Sequence, residues 1–287
     1  MTESRSREHS GKANFDDLYE QPDPRAYYQG LGAFGYEVPE HGRRVFHQVL
    51  DVLGTEDPMV VDLCCSYGVN AALLKHDLEL DDLYHHYCTE PRADLTPDAL
   101  AEIDREFFAE HRSDAVLRVA GVDAAPTAVD YAVEVGLLDV GLAENLEVAD
   151  PSRELQELMN RADLITVTGG VGYITERTFD RLLNARHSEP PWVACLCLRT
   201  VSYQPIIACL ARHGLVTEHL DGVTFPQRRF SDDDERDFAL AELSALGVDP
   251  AGKESEGNYH VDVYLSRPEA AIRDMPITKV LADIANG

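Results

Sequence analysis

The strongest constraint on this chain is that each of five short apolar runs is followed by a helical pattern. The runs "MVVDLC", "VLRVAGVD", "VGLAENLE", "ADLITVTG" and "PWVACLCLRT" read as strands, and amphipathic patterns over 69–76, 126–136, 153–161, 175–185 and 204–213 follow them in turn. Strand alternating with helix implies a mainly parallel sheet covered on both faces. The early runs are continuously apolar, as strands buried on both sides are. "GLVTEHL" then leads through a loop and helix over 222–246, helical at 235–246, to "YHVDVYLS", whose alternation suggests an antiparallel closing strand. The expected fold is α/β: a doubly wound, mainly parallel seven-stranded sheet with one antiparallel closing strand.

Two regions fall outside this pattern. Residues 14–53 read as an N-terminal helical cap rich in aromatics (Phe15, Tyr19, Tyr27, Tyr28, Phe34, Tyr36, Phe46). Residues 77–114 separate the first helix from the second strand and read as a helical insertion; a connection that long is usually a lid or a subdomain. The polar start, residues 1–13, has no apolar stretch of the signal-peptide kind and reads as a disordered tail. Residues 54–287 are expected to form one core domain.

The chain has 287 residues and a formal charge of −27. So acidic a chain repels phosphate backbones and anionic membranes, and no apolar run reaches the roughly 20 residues that span a bilayer. No nucleic-acid or membrane partner is expected, and with no export signal the location is expected to be cytoplasmic. Nothing in the sequence speaks to oligomeric state. The adjacent Cys64 and Cys65 and the "ACLCL" pair, Cys195 and Cys197, lack the spacing of a zinc site, so these thiols are expected to be buried small residues and no metal is expected. "SDDDER" reads as a helix cap with an acidic first turn.

Ligands of open parallel sheets bind beyond the carboxyl ends of the strands. After the first strand come Asp62, Cys64, Ser66 and Gly68; after the second, Asp123 and Ala124; after the third, Glu144 and Asn145; after the fourth, Thr168, Gly169, Gly170, Gly172 and Tyr173. Small residues at the first turn admit close backbone approach, and the next helix offers free N–H groups. An acidic residue ending the second strand can accept hydrogen bonds from both ribose hydroxyls. Together these features describe a nucleoside site. A nicotinamide fingerprint and a P-loop are both absent.

In this order of features, over roughly residues 55 to 265, the chain resembles the class I S-adenosylmethionine (SAM)-dependent methyltransferases. Asp62-Leu63-Cys64-Cys65-Ser66-Tyr67-Gly68 looks like their acidic-x-Gly-x-Gly-x-Gly motif, with Cys64 and Ser66 where two glycines are usual. The resemblance implies S-adenosyl-L-methionine as cofactor, Asp123 at the ribose, Asn145 near the adenine, and Thr168, Gly169 and Tyr173 beside the methionine part and the methyl. It also implies one antiparallel strand in the sheet. Asp62 and Asp123 stand 61 residues apart, whereas about 20 is usual in dinucleotide folds; the 77–114 insertion is the departure.

Methyl transfer from a sulfonium is an in-line displacement served mainly by positioning and desolvation. Aromatic faces stabilise the sulfonium by ~0.5–2 kcal/mol each. Tyr173 and Tyr28 are therefore the catalytic candidates, with Tyr19, Tyr27 or Tyr28 expected to face the methionine end opposite Tyr173. Packing of the N-terminal helices onto the sheet is the alternative role for Tyr27, Tyr28 and Tyr36. His85, His86, Asp62 and Glu144 are candidate bases, the two histidines reading more simply as a solvated pair. Arg199 and Tyr203, after the fifth strand, are candidates for binding substrate at the rim, and a surface ion pair is the alternative for Arg199. Gly68 is expected to be pressed against the ligand.

The expectation is a methyltransferase acting on a small-molecule acceptor in an enclosed pocket. Two alternatives remain open at this stage. An enzyme of the same fold could cyclise SAM and release methylthioadenosine, in the manner of azetidine-2-carboxylate synthases, or the protein could bind SAM without turnover.

Overall fold

In the computed structural model, which describes residues 16–89 and 92–285, the chain opens with α1 (Asp16–Tyr19), α2 (Arg25–Gly32) and α3 (Val38–Leu53). The expected tail, residues 1–13, and Phe15 lie outside the described residues. β1 (Met59–Leu63) leads to α4 (Val69–Lys75), and the connection onward carries α5 (Leu80–Cys88) and α6 (Pro97–Glu110). Next come β2 (Arg118–Asp123), α7 (Pro126–Glu134), β3 (Val140–Ala143), α8 (Arg153–Met159) and β4 (Leu164–Thr168). The chain continues through α9 (Glu176–Asn184), β5 (Trp192–Leu198), α10 (Gln204–Arg212), β6 (Leu215–Arg229), α11 (Asp233–Leu246) and β7 (Asn258–Pro268). Among the described residues no helix is long and apolar enough to cross a membrane.

The strands form one 7-stranded sheet in the order β3-β2-β1-β4-β5-β7-β6. β1 pairs in parallel with both β2 and β4, so the winding reverses at β1 and a crevice opens at its carboxyl end. β7 alone runs against the others, antiparallel to β5 and to β6. This is the doubly wound, mainly parallel sheet with one antiparallel strand that the residues imply. The antiparallel strand does not lie at the edge: it inserts between β5 and β6. β6 also continues through 222–229, which reads as loop and helix in the sequence because its polar residues mask a strand at the sheet's edge.

Alternate strand residues feed two cores, because successive side chains leave opposite faces of a strand. Met59, Val61 and Leu63 pack with Ile165, Val167 and Cys195 against the buried faces of α8, α9 and α10. On the other face Val60, Leu164, Ala194 and Leu196 pack with residues of α3, α4 and α7. α3 belongs to this second layer, with Val45, Phe46 and Val49 fully inside it. The division at 53/54 therefore cuts through a core, because the apolar stripe of α3 covers the sheet. α11 begins as its sequence predicts, with the Asp232 side chain accepting the Glu235 N–H at 2.8 Å.

The insertion is joined to α7 by one buried carboxylate. Asp104 accepts from the Tyr87 hydroxyl (2.7 Å) and the Tyr131 hydroxyl, and stands 2.7 Å from His86 Nε2. His86 is thus no solvated residue; only His85 of that pair is exposed.

Candidate functional site

β1 ends in a turn whose backbone keeps a glycine-like shape without the glycines. Cys64 and Ser66 have φ of 59° and 50°, in the left-handed region that side chains ordinarily avoid. The neighbouring thiols diverge: Cys65 Sγ points at Gly121 and Cys64 Sγ at Gly170, each occupying the space that a Cβ on the facing glycine would need (2.6 and 2.7 Å). Burial pushes both thiols well above their usual pKa, so they stay protonated.

Asp123, at the end of β2, ties this turn to the next. Its Oδ2 accepts the Ser66 N–H at 2.9 Å and its Oδ1 accepts the Ala125 N–H at 3.0 Å. Burial raises its pKa, and these backbone hydrogen bonds oppose the shift. After β3, Asn145 Oδ1 accepts the Glu147 N–H (3.0 Å), and Glu144 accepts the Ser152 N–H (2.9 Å). Glu147 in turn accepts from the Thr175 N–H (2.8 Å), the Thr175 hydroxyl (2.9 Å) and the Thr178 hydroxyl (2.8 Å) at the start of α9. Burial works against its charge, but those hydrogen bonds win and hold the Glu147 carboxyl below the usual range.

These strand ends surround a cavity of about 620 Å³. Cys64, Ser66, Asp123, Ala124, Asn145, Thr168, Gly169 and Tyr173 all line it, as do Tyr19 and Tyr27 from the N-terminal segment. The opposite wall is tyrosine. Tyr27 meets Tyr19, Tyr36 and Tyr67 edge to face at centroid distances of 5.7, 6.3 and 5.9 Å. Burial pushes the phenols of Tyr19 and Tyr27 well up and that of Tyr36 to about 12, so all three are neutral near pH 7. The Tyr67 hydroxyl donates to the carbonyls of Leu18 (3.0 Å) and Gln21 (2.8 Å), pinning the α1 segment over the crevice.

Other sequence candidates lie elsewhere. Tyr28 does not line the cavity: its ring stacks on Tyr87 at 4.5 Å and 11°, facing the insertion and a second cleft, so its position gives it no catalytic contact. Arg199 is buried in an ion pair with Glu254 (2.6 Å), and Tyr203 stacks on Tyr264 (4.2 Å) in the core; neither reaches the cavity as a substrate-binding residue. Asp62 lies fully buried beneath the turn, its Oδ1 accepting from Thr166 (2.7 Å) and Asn70 (2.9 Å). Gly68 caps α4 at φ 77°, and a Cβ there would press on Ala132 (3.1 Å) and Leu137 (3.3 Å) rather than on a ligand. Its glycine is required by backbone shape and packing.

Tyr36, one of the N-terminal aromatics, also lines the cavity, and so do residues that the sequence gives no reason to choose: Glu147, Gln227 and Arg228. Arg228 is neutralised by Glu235, with bonds of 2.9 and 2.6 Å.

No protein-family model and no curated protein matches this sequence. Comparison with solved structures finds similarities at low identity. A TehB-like SAM-dependent methyltransferase from Corynebacterium glutamicum is 14% identical, with 83% of this chain and 93% of that one covered and a TM-score of 0.42. The plantazolicin methyltransferase BpumL in complex with SAH is 9% identical, with 88% and 93% covered and a TM-score of 0.41. The [4+2]-cyclase SpnF is 9% identical, with 79% and 80% covered and a TM-score of 0.39. The fold itself rests on the strand order and pairing given above.

Proposed function

We propose that this chain is a class I SAM-dependent methyltransferase that acts on a small-molecule acceptor. The observation that carries the reading is Asp123, held by the N–H groups of Ser66 and Ala125 beside the reversal of the sheet and lining a cavity that Tyr19, Tyr27 and Tyr36 line from the N-terminal segment and Tyr173 lines after β4. A fixed carboxylate at the end of β2 suits a ribose diol, and ring faces suit a cation. Ser66 and Gln227 both line the cavity, and each carries a buried side-chain oxygen with no hydrogen-bond partner.

In this reading Asp123 holds the ribose, Asn145 and Leu146 border the adenine, and Cys64, Thr168 and Gly169 border the amino-acid end. When bound, SAM supplies an electrophilic methyl group on a sulfonium. Tyr19, Tyr27 and Tyr36, held neutral by burial, stabilise that positive charge without competing as bases, at ~0.5–2 kcal/mol per well-placed face. α1 and α2 cover one side of a cavity whose size is that of an ordinary small-ligand pocket, which favours a small molecule over a macromolecule.

Calorimetry with SAM tests the site. Asp123→Ala is expected to keep its circular dichroism spectrum and to weaken SAM binding by roughly 1–3 kcal/mol; unchanged affinity in the folded variant removes the assignment. Mass spectrometry of a cell extract supplied with the protein and isotopically labelled SAM tests the reaction. Labelled product with S-adenosylhomocysteine supports methyl transfer, methylthioadenosine indicates cyclisation, and binding without turnover indicates a non-catalytic SAM-binding protein.

A further inference from the structure

α9 and α10 pack together on one face of the sheet, and a carboxylate, a thiol and an imidazole meet between them. None of the three lines the cavity. Asp180 comes from α9. Cys209 comes from α10, and His213 caps the carboxyl end of that helix, four residues on and so on the same face. Asp180 Oδ1 lies 3.1 Å from His213 Nε2 and 3.7 Å from Cys209 Sγ, and the three ligand atoms all lie within 4.8 Å of one another. Atoms that share a tetrahedral zinc ion at ~2.0–2.3 Å stand ~3.3–3.6 Å apart, so closing on such an ion takes about 1 Å of side-chain movement. The second carboxylate oxygen is already engaged: Asp180 Oδ2 accepts from the Asn184 amide at 3.1 Å. That bond turns Oδ1 toward the thiol and the imidazole, as outer partners orient metal ligands. Cys209 is fully buried, whereas the Asp180 and His213 side chains are 40% and 17% exposed, which leaves a way in from solvent. Arg212 also bonds Asp180 Oδ1, at 3.2 Å, but its side chain is 58% exposed and can give way to an ion.

We infer that Asp180, Cys209 and His213 bind a divalent ion of the zinc type, with water as fourth ligand, and so fasten α9 to α10. The inference is independent of the SAM reading. One sulfur, one imidazole nitrogen and one carboxylate oxygen make a donor set for zinc, whereas calcium and magnesium take oxygen ligands. Burial, and then the Asp180 carboxylate, push the Cys209 thiol to about 11, so near pH 7 the metal-free chain keeps its proton. On binding, the metal–sulfur bond replaces the S–H bond and the proton leaves to solvent. Asp180 is already ionised, its carboxyl held below the usual range chiefly by the hydrogen bond from His213. The expectation of no metal rests on the thiol pairs at 64–65 and 195–197. The partners of Cys209 stand instead one helical turn further on and on another helix, which no local spacing joins.

The test uses the full chain, stripped of metal by a chelator, with Co2+ and Zn2+ as the probes. Cobalt is expected to bind once per chain, with the strong visible bands of tetrahedral coordination and a thiolate-to-metal charge-transfer band in the near ultraviolet. Zinc is expected to displace it and to raise the midpoint of thermal unfolding, and an excess of Mg2+ or Ca2+ to do neither. His213→Ala and Cys209→Ser should each weaken zinc binding by at least roughly ten- to hundredfold, the loss that follows removal of even an outer partner of a metal site. Cys209→Ser should also abolish the charge-transfer band. Arg212→Ala, which removes the competitor for Asp180, is expected to bind zinc at least as tightly as the parent. A parent chain without cobalt bands, or with bands but no charge transfer, overturns the assignment. So does a zinc affinity that survives His213→Ala, because the ion then sits at other side chains. If Cys209→Ser fails to fold, the parent's cobalt spectrum and His213→Ala decide between the two outcomes. Neither probe involves a nucleoside, so failure here leaves the SAM reading where it stands.

Discussion

Cys64 and Ser66 hold left-handed backbone conformations that cost about 1–2 kcal/mol each in an L-residue, and the surroundings accommodate the side chains they carry. Cys64 Sγ fills the space left at Gly170, and Ser66 gives its N–H to Asp123. Two positions before Cys64, Asp62 is fully buried with Oδ2 unpartnered, and burial pushes its carboxyl to about 7 despite the hydrogen bonds from Thr166 and Asn70. The sign of the linkage is the reverse of the usual carboxylate case. The unfolded chain loses this proton near its ordinary pKa of about 4, while the folded chain keeps it to about 7. This group therefore lowers stability as pH rises across that window and has no further effect above it. Asn at this position keeps an acceptor for both hydrogen bonds. Asp62→Asn should gain roughly 1–3 kcal/mol at pH 8, with the gain shrinking to nothing near pH 4. Urea titrations at several pH values measure this, and a gain independent of pH would contradict it.

At the scale of elements, α3 decides what the N-terminal region is. Its Phe46 is fully buried on the sheet, and Gly42 lets the helix approach so closely that a Cβ there would lie 3.2 Å from Thr168 Oγ1 at the cavity. A chain starting at residue 54 should therefore show no cooperative thermal transition, and Phe46→Ala should cost about 3–5 kcal/mol. A truncated chain melting near the parent's temperature would restore the picture of a detachable cap. The strands and helices of the parallel half were legible because each repeats its own period. So was the turn from Asp62 to Gly68 as a place, and Asp123 as a residue beside the cavity, because a parallel sheet opens its crevice at the strand ends. Which of Tyr27 and Tyr28 reaches the cavity was not legible: adjacent helical residues point about 100° apart, and only packing of α2 on α5 selects the face. Gln227 was hidden because β6 slips register against β7 between Pro226 and Arg228, which breaks the alternation by which a strand is recognised. Glu147 was hidden because its partners lie on α9, in contact only after folding. Arg199 followed the rule of strand ends and still missed the cavity, since Glu254 holds it on the far side.

Across the whole molecule, the roof is assembled from segments far apart in sequence. α2 rests on α5 of the insertion through Tyr28 on Tyr87, Asp104 fastens that insertion to α7, and Tyr67 reaches up from the first turn to the carbonyls of Leu18 and Gln21. The single Tyr67 proton is shared between those two carbonyls, so the equivalent of one hydrogen bond ties the α1 segment down at the mouth of the cavity. Tyr67→Phe should accordingly raise the association and dissociation rates of SAM together, each by about three- to tenfold for a bond of ~1 kcal/mol, while the equilibrium affinity moves far less. Stopped-flow binding measures both rates, and a change confined to dissociation would place Tyr67 in the bound complex rather than in the gate. The same construction has an optical side. Most of the chain's 12 tyrosines belong to one connected stack of rings running from Tyr19 through Tyr27, Tyr28 and Tyr67 to Tyr131. The single tryptophan, Trp192, sits apart on β5 with the Arg267 guanidinium 5.1 Å from its ring centre. The near-ultraviolet dichroism of the tyrosine band therefore draws mainly on that cluster, with the core pair Tyr203 and Tyr264 as a second source, while tryptophan emission reports the sheet, so that a loosening of the cluster without melting of the sheet can be followed with no label attached.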